Sequence, residues 1–324
     1  MTRVKRFNVV IATDGSPAAK AAVATALKFP WPNGTHAFAV VAKQVRADYR
    51  RSILLAALDR TAEFVAKGAA RAVSRRWSDA EVRVVDASPV DAIVREAARH
   101  RADVIVMGWR GHGAVRRLLT GSVSRGVVRR APCAVLVVKR VLRDVRHIVM
   151  GFDNSAHAQR AVELVSSFTP PRGGRVSLFT AVDTMHVPSQ ALALPDTRAA
   201  VSAEVTRINK DRLARAHQAL DRAARTLTRA GWKVDRVITT GAPLRDLLAA
   251  VAKKRADLVV VGAKGVTGVR HLLLGSVAEG ALSRSPVPVF IVDELRQSYV
   301  RCAQLERSGA RTGRSVSRLV AAFV

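Results

Sequence analysis

The sequence has few aromatic residues, few cysteines and few acidic residues. Only 5% of its 324 residues are aromatic although 49% are hydrophobic, so the core must consist mainly of Val, Leu, Ile and Ala. That composition is typical of parallel sheets that are buried on both faces. The two cysteines, Cys133 and Cys302, fit neither a disulfide framework nor a zinc-ligand spacing, which favours a reducing, cytoplasmic location.

A long apolar run is also missing. No stretch approaches the roughly 18 apolar residues that a membrane helix needs, so we expect no membrane partner. The basic start is followed by an apolar run that breaks at Thr13-Asp14, which is too short for the core of a signal peptide.

The shortage of acidic residues leaves a formal net charge of +29, from 54 Lys and Arg against 25 Asp and Glu. The excess is spread along the chain, mostly as Arg, without a dense basic tail. A polyanionic partner is one explanation. However, aromatic residues do not interleave with the basic ones, and no nucleic-acid module signature is present. We therefore expect nucleic acid to bind only non-specifically.

A glycine pattern occurs twice, 154 residues apart. Gly108-Trp109-Arg110-Gly111 precedes Gly121-Ser122, and Gly262-Ala263-Lys264-Gly265 precedes Gly275-Ser276. Two matches in register indicate two copies of one domain.

Domain boundaries follow from the repeat. We predict one domain over residues 1–142 and a second over 143–293, whereas residues 294–324 match neither copy and form an appendage, either partly helical or disordered. The linker at 139–146 is short, so the domains should pack closely. The second copy is about 15 residues longer, and the extra residues fall around 183–197, where we predict a loop or a lid.

Short apolar runs alternate with amphipathic stretches in both copies. Strands are predicted at 8–13, 37–41, 82–85, 104–107 and 134–138, and at 147–152, 176–181, 234–238, 258–261 and 287–292. The longest predicted helices cover residues 52–76 and 203–230. Strands alternating with helices imply right-handed crossovers and a parallel sheet with helices on both faces.

The glycine loop follows the fourth predicted strand, at the edge where such sheets bind ligands. Glycines allow backbone N–H groups to converge on a phosphate, through close approach and positive φ angles. The helix that follows offers unpaired N–H groups and a favourable dipole. The predicted walls of the phosphate site are Gly108 and Gly111 with Gly121, Ser122 and Val123, and in the second copy Gly262 and Gly265 with Gly275, Ser276 and Val277. Helix-capping turns that need glycine for geometry alone are the alternative.

Polar side chains near the loop have two interpretations each. Asp14 and Asp153 end the first strand of each copy, where they could cap a helix or recognise the base and ribose end of a nucleotide. Arg110 and Lys264 lie inside the loops, where they could neutralise phosphate charge or be ordinary exposed cations.

Several catalytic patterns are missing from the sequence. It has no G-x-x-x-x-G-K-[ST] loop and no G-x-G-x-x-G at the glycine segments. It also has no nucleophile elbow, carboxylate pair or metal cluster. The sequence therefore predicts binding rather than turnover, with no catalytic residue and no metal ligand of its own.

The two copies resemble the universal stress protein family in its tandem form, over nearly all of residues 5–292. The signature G-x2-G-x9-G-[ST] is present twice, together with an Asp that ends the first strand and a Pro that opens the third helix. The resemblance implies two tandem Rossmann-like (adenine nucleotide alpha hydrolase-like) domains, each a five-stranded parallel sheet of order 3-2-1-4-5. It also implies that ATP binds where the strand order reverses, between strands one and four.

The function implied by this resemblance is that of an ATP-binding, nucleotide-dependent stress-response regulator with little or no hydrolysis, with Mg²⁺ arriving on the nucleotide. Association through the fifth strands is implied too, as a pseudo-dimer within the chain, as a homodimer between chains, or as both. The alternatives are a structural or interaction module with vestigial pockets, a basic nucleic-acid-associated protein, and an anion-binding enzyme.

The chain departs from the family pattern in places. Trp109 fills a position that is usually small, so its indole could crowd the first site or stack on a ligand. Ala42 and Ala181 fall where the family often places a Val against adenine, which loosens both base pockets. The first copy also lacks the glycine that is present as Gly241 in the second. Domain two is therefore expected to bind ATP more tightly.

Overall fold

A computed structural model describes residues 6–44, 53–109, 121–187, 195–265 and 274–293. The strands are β1 (Phe7–Ala12), β2 (Thr35–Lys43), β3 (Glu81–Asp86), β4 (Val104–Gly108), β5 (Ala134–Val138), β6 (His147–Gly151), β7 (Arg175–Ala181), β8 (Lys233–Thr239), β9 (Leu258–Gly262) and β10 (Val289–Val292). The helices are α1 (Pro17–Lys28), α2 (Ile53–Val73), α3 (Pro89–Arg99), α4 (Ser122–Arg130), α5 (Ala156–Ser166), α6 (Pro195–Arg229), α7 (Pro243–Lys253) and α8 (Ser276–Arg284). The predicted appendage, residues 294–324, lies outside the described residues.

The strands form one sheet in the order β3-β2-β1-β4-β5-β10-β9-β6-β7-β8. Within each half all pairs are parallel, so each half has the order 3-2-1-4-5. The predicted fold class, two tandem Rossmann-like domains, is confirmed.

The two halves join where β5 pairs antiparallel with β10, with Leu136 opposite Phe290. Each of these strands has a neighbour on both sides, so neither has an unpaired edge in the sheet. Because the join is antiparallel, the carboxyl ends of the strands in one half lie beside the amino ends of the strands in the other. The carboxyl edges of the two halves therefore face opposite ends of the sheet.

An aromatic cluster ties the halves together on the face that α1 and α5 cover. Phe29 from the first half packs edge-on against Phe168 from the second, with ring centroids 5.0 Å apart. Trp31 also meets Phe168 edge-on, at 5.9 Å, and Phe290 joins the cluster from β10. These rings are at most 3% exposed, so the halves share one continuous core.

Serine caps begin three of the helices, α1, α3 and α5. The hydroxyls of Ser16, Ser88 and Ser155 each accept a hydrogen bond from the backbone N–H three residues on, at 3.2–3.3 Å. Such bonds satisfy N–H groups that lack an intrahelical partner. The crossovers of both halves therefore start at positions that are specified locally.

The described part of the segment predicted as a loop or lid, 183–197, includes the start of a helix. Helix α6 begins at Pro195, eight residues before the predicted start, because proline suits the first helical turn. Residues 188–194 lie outside the described residues. Nearer β7, the backbone of Met185 exchanges two hydrogen bonds with Asn209, at 2.8 and 2.9 Å. The described part of this segment is thus held against α6.

A polar network lies at the amino ends of the strands in the second half. His147 Nε2 is 2.8 Å from Ser177 Oγ, and Ser177 donates to Asp235 at 2.7 Å. Lys254 donates to the other carboxylate oxygen at 2.6 Å. Burial alone would raise the pKa of Asp235, but the hydrogen bonds from Lys254 and Ser177 outweigh it and lower that pKa.

We expect His147 to make folding sensitive to mild acid. Burial lowers the pKa of His147 below its ordinary value of 6.5. As the pH falls through 6.5, the unfolded chain therefore binds a proton more readily than the folded chain, and stability decreases. Between about pH 7.5 and about pH 5, the melting temperature of the wild type should fall further than that of His147→Gln. Parallel curves for the two proteins would contradict this expectation.

Candidate functional site

The predicted site residues that the structure describes gather at the carboxyl edge of each half. Strand β1 lies beside β4, and β6 lies beside β9, so Asp14 and Asp153 share an edge with the glycine loops. In the second half the two parts meet directly, because a Cβ added to Gly265 would lie 2.6 Å from Asp153 Oδ2. Arg110 and Gly111 lie outside the described residues.

The two aspartates shape the turn after the first strand of each half. Asp14 Oδ1 accepts from the backbone N–H of Ser16 at 2.9 Å, and Asp153 Oδ1 accepts from that of Ser155 at 3.0 Å. The serines are the N-cap residues of α1 and α5, so the helix-capping interpretation of the aspartates is wrong. Each exposed carboxylate instead precedes the cap and fixes the turn.

Gly108 and Gly262 lie against a helix rather than against open space. A Cβ on Gly108 would come within 2.6–2.9 Å of the backbone of Ala18 and Ala19. A Cβ on Gly262 would lie 2.8 Å from His157 Cβ and 3.1 Å from Ala158 N. The close approach predicted toward a phosphate is, at these two glycines, an approach to the first turns of α1 and α5.

Gly121 and Gly275 are the N-cap residues of α4 and α8, and neither helix has a side-chain cap. A Cβ on Gly121 would overlap the carbonyl oxygen of Trp109, whereas the Gly275 N–H donates to Ala263 O at 2.7 Å. Both glycines therefore hold the helix start against the end of the preceding strand. The first turns of α4 and α8 contain the exposed Ser122 and Ser276 and the half-buried Val123 and Val277.

Positive φ angles are not a property of the described loop glycines. The described glycines with positive φ are Gly15, Gly34, Gly173 and Gly231. The expectation of positive φ is therefore wrong for Gly108, Gly121, Gly262, Gly265 and Gly275. Packing against neighbouring backbone and against Asp153 requires glycine at most of these positions.

Trp109 belongs to the core. Its side chain is 8% exposed and lies in the hydrophobic cluster on the face that carries α3 and α4. Lys139 Nζ lies 5.1 Å from the ring centroid. The predicted crowding or stacking on a ligand is not supported, because little of the indole is left to contact one.

The remaining predicted residues flank the second loop and the strand ends. The Lys264 carbonyl accepts from Ser155 Oγ at 3.3 Å, which ties the loop to the start of α5. Ala42 and Ala181 lie half-buried near the ends of β2 and β7 and pack against the α3 and α7 side of the core.

Sequence reasoning missed Lys139. It directly follows β5, and Trp109 N donates to Val138 O at 2.9 Å, so Lys139 lies beside the first loop. The signal available in the sequence was a basic residue directly after the fifth predicted strand.

Metal and membrane features are limited within the described residues. There, no group of three or more His, Cys, Asp or Glu side chains is arranged to hold a metal ion. No helix in the same part of the chain is long and apolar enough to cross a membrane.

Known proteins match the chain along most of its length. The universal stress protein family matches residues 5–139 and again residues 144–293. A universal stress protein of Mycobacterium tuberculosis is 30% identical over 223 residues, which are 64% of this chain and 67% of that protein. One from Thermus aquaticus is 37% identical over 133 residues, which are 40% of this chain and 97% of that protein.

A solved structure supports the same fold. The crystal structure of a universal stress protein from Archaeoglobus fulgidus aligns with a TM-score of 0.59 at 21% identity, and the alignment covers 88% of this chain and 96% of that one. The double family match shows that the chain belongs to the universal stress protein family and carries two copies of its domain.

Proposed function

We propose that the chain binds ATP at the carboxyl edge of each half and acts as a nucleotide-dependent regulator of the stress response, with little or no hydrolysis. The observation that carries this proposal is the contact of Gly265 with Asp153, where a Cβ would lie 2.6 Å from Oδ2. It brings a carboxylate and a glycine loop together at the edge where open parallel sheets bind ligands.

The phosphates would lie at the start of α8. That helix has Gly275 as its N-cap without a side-chain cap, whereas α5 nearby is capped by Ser155. The first N–H groups of a helix without a side-chain cap can donate to an anion, and the helix dipole favours the negative charge. Lys264 supplies a cation within the loop, and Mg²⁺ would arrive with the nucleotide.

The nucleoside would lie toward β6 and β7. Asp153 binds the Ser155 N–H through Oδ1, and its Oδ2 faces Gly265, where a ribose hydroxyl could donate. Ala181 at the end of β7 would border the base. The small alanine leaves a looser base pocket than a larger aliphatic side chain would.

Little hydrolysis is proposed because phosphoryl transfer needs a positioned base or water and usually a carboxylate that holds a metal. The carboxylate proposed to line this site is that of Asp153, and one of its oxygens already accepts a hydrogen bond from the Ser155 N–H in the turn. ATP should therefore be retained and released rather than consumed, which suits a regulator. The cytoplasmic location stays a prediction.

The proposed partners rest on the strand pairing and on the net charge. Neither fifth strand has an unpaired edge in the sheet, so we propose that these strands pair within the chain in preference to a homodimer. The net charge of +29 is proposed to attract nucleic acid without sequence preference, with affinity that falls steeply as salt rises.

Calorimetric titration of the purified full chain with ATP tests the proposal. We expect two sites per chain, with the tighter one in domain two, and mass spectrometry of nucleotide released by heat should identify an adenine nucleotide. ADP, cyclic AMP and inorganic triphosphate in parallel titrations separate recognition of the base from recognition of the phosphates. Lack of binding by every nucleotide at millimolar concentration would rule out the proposal. Steady turnover near 1 per second, as in ordinary kinases, would rule out its non-hydrolytic part.

A further inference from the structure

The helices α4 and α8, which begin at the two candidate phosphate sites, meet at the domain junction. Arg125 Nη2 lies 2.9 Å from Glu279 Oε1 and donates to Ser283 Oγ at 2.9 Å. Arg129 approaches Glu279 at 3.8 Å. Arg125 and Glu279 occupy equivalent positions of the repeat, each four residues after its N-cap glycine. The junction thus lies one helical turn from each candidate site.

Helix α8 also reaches the first site with its other end. Its C-cap residue, Ser285, accepts from Lys139 Nζ at 2.7 Å through the backbone carbonyl, and Lys139 lies over the Trp109 ring. Trp109 follows Gly108 at the start of the first loop. A nine-residue helix is about 14 Å long, so α8 links the Gly275 turn of one site to the Trp109 turn of the other.

The junction has a second arrangement available. Arg125 Nε and Glu279 Oε2 are buried and have no hydrogen-bond partner among the described residues. One is a donor and the other an acceptor, and they belong to the two partners of the same ion pair. Arginine binds carboxylates through two parallel hydrogen bonds when the geometry allows. A small shift of α8 relative to α4 would convert the present single contact into that two-bond form.

We propose that α8 couples the two candidate nucleotide sites, so that nucleotide at one site raises the affinity of the other. This inference rests on the proposed function. The first nucleotide draws its helix N-terminus toward the phosphates and sets the junction in its two-bond form. The second nucleotide binds a junction that is already rearranged. Its binding free energy therefore no longer includes the cost of that rearrangement.

ATP titration of the full chain by calorimetry is the test, with Lys139→Met and Glu279→Gln as the coupling variants. In the wild type, the second ATP should bind at least about fivefold more tightly than it would if the two sites were independent. Fivefold is the lower end of the coupling commonly seen between sites. Each coupling variant should reduce that factor toward one. Lys253→Met, an exposed lysine on α7, is the matched control and should keep the wild-type factor.

A charge exchange separates coupling from damage to the fold. Arg125→Glu combined with Glu279→Arg keeps opposite charges across the junction, so it should restore the cooperativity that Glu279→Gln loses. Two independent ATP sites in the wild type would overturn this inference and leave the proposed function standing. Cooperativity that persists in both coupling variants would overturn the α8 route. A chain that binds no nucleotide would overturn both proposals.

Discussion

ATP affinity at domain two is expected to fall about 100-fold when Gly265 is replaced by valine. The new Cβ would lie 2.6 Å from Asp153 Oδ2, so the carboxylate must move or the loop must withdraw. Overpacking of a well-packed site costs about 1–3 kcal/mol, and each 1.4 kcal/mol is about tenfold in Kd. The side chain also blocks the backbone approach that a phosphate needs.

The measurement is the number of ATP sites per chain and their affinities. Gly265→Val should retain only the domain-one site, and the double variant with Gly111→Val should retain neither. Gly68→Val is the matched control, because Gly68 is exposed in α2 and a Cβ there meets nothing within 4 Å. If a folded double variant bound ATP as the wild type does, the glycine loops would not be the phosphate sites.

The free energy of unfolding is expected to fall by about 3 kcal/mol in Gly121→Ala, the upper end of ordinary overpacking. The added methyl would overlap the Trp109 carbonyl oxygen and lie 2.6 Å from Ser124 Oγ. Ser124 donates to that same carbonyl at 2.8 Å, so relief of the clash also disturbs a buried hydrogen bond. The Trp109 carbonyl is part of the backbone, so the site has little room for relaxation.

Urea unfolding measures this loss against Gly68→Ala. The control substitution adds the same methyl to an exposed helical position in open space, where alanine is more stable than glycine by about 0.5–1 kcal/mol. The two variants should therefore move in opposite directions. Equal midpoints for Gly121→Ala and the wild type would show that α4 can shift away from β4 at little cost.

The order of strands and helices was predictable because its signals are local. Strand β5, residues 134–138, has the bounds that the sequence predicts, since a proline break at Pro132 precedes it. The early start of α6 was missed although Pro195 is itself a start signal. The predicted loop was placed by comparing the lengths of the two copies, and length alone does not show where a helix begins.

The role of each glycine was less predictable, because it depends on which backbone lies opposite. Gly108 meets α1, which begins about 90 residues earlier in the chain, and no spacing rule encodes that distance in space. The family signature places the glycines at the carboxyl edge of each half, as the structure does. It does not separate the glycines that make room for a helix from those proposed to make room for a ligand. Gly265, beside Asp153, is the glycine that we propose leaves room for a ligand.

The Arg125–Glu279 contact bears on how the two halves recognise each other. A symmetric dimer of identical domains places the same residue on both sides of its axis. Two copies of domain one joined in the same way would set Arg125 against Arg125, and two copies of domain two would set Glu279 against Glu279. Either combination brings like charges together, which disfavours it. The two repeats thus carry opposite charges where they touch, so separately produced halves should form the mixed pair in preference to either self-pair.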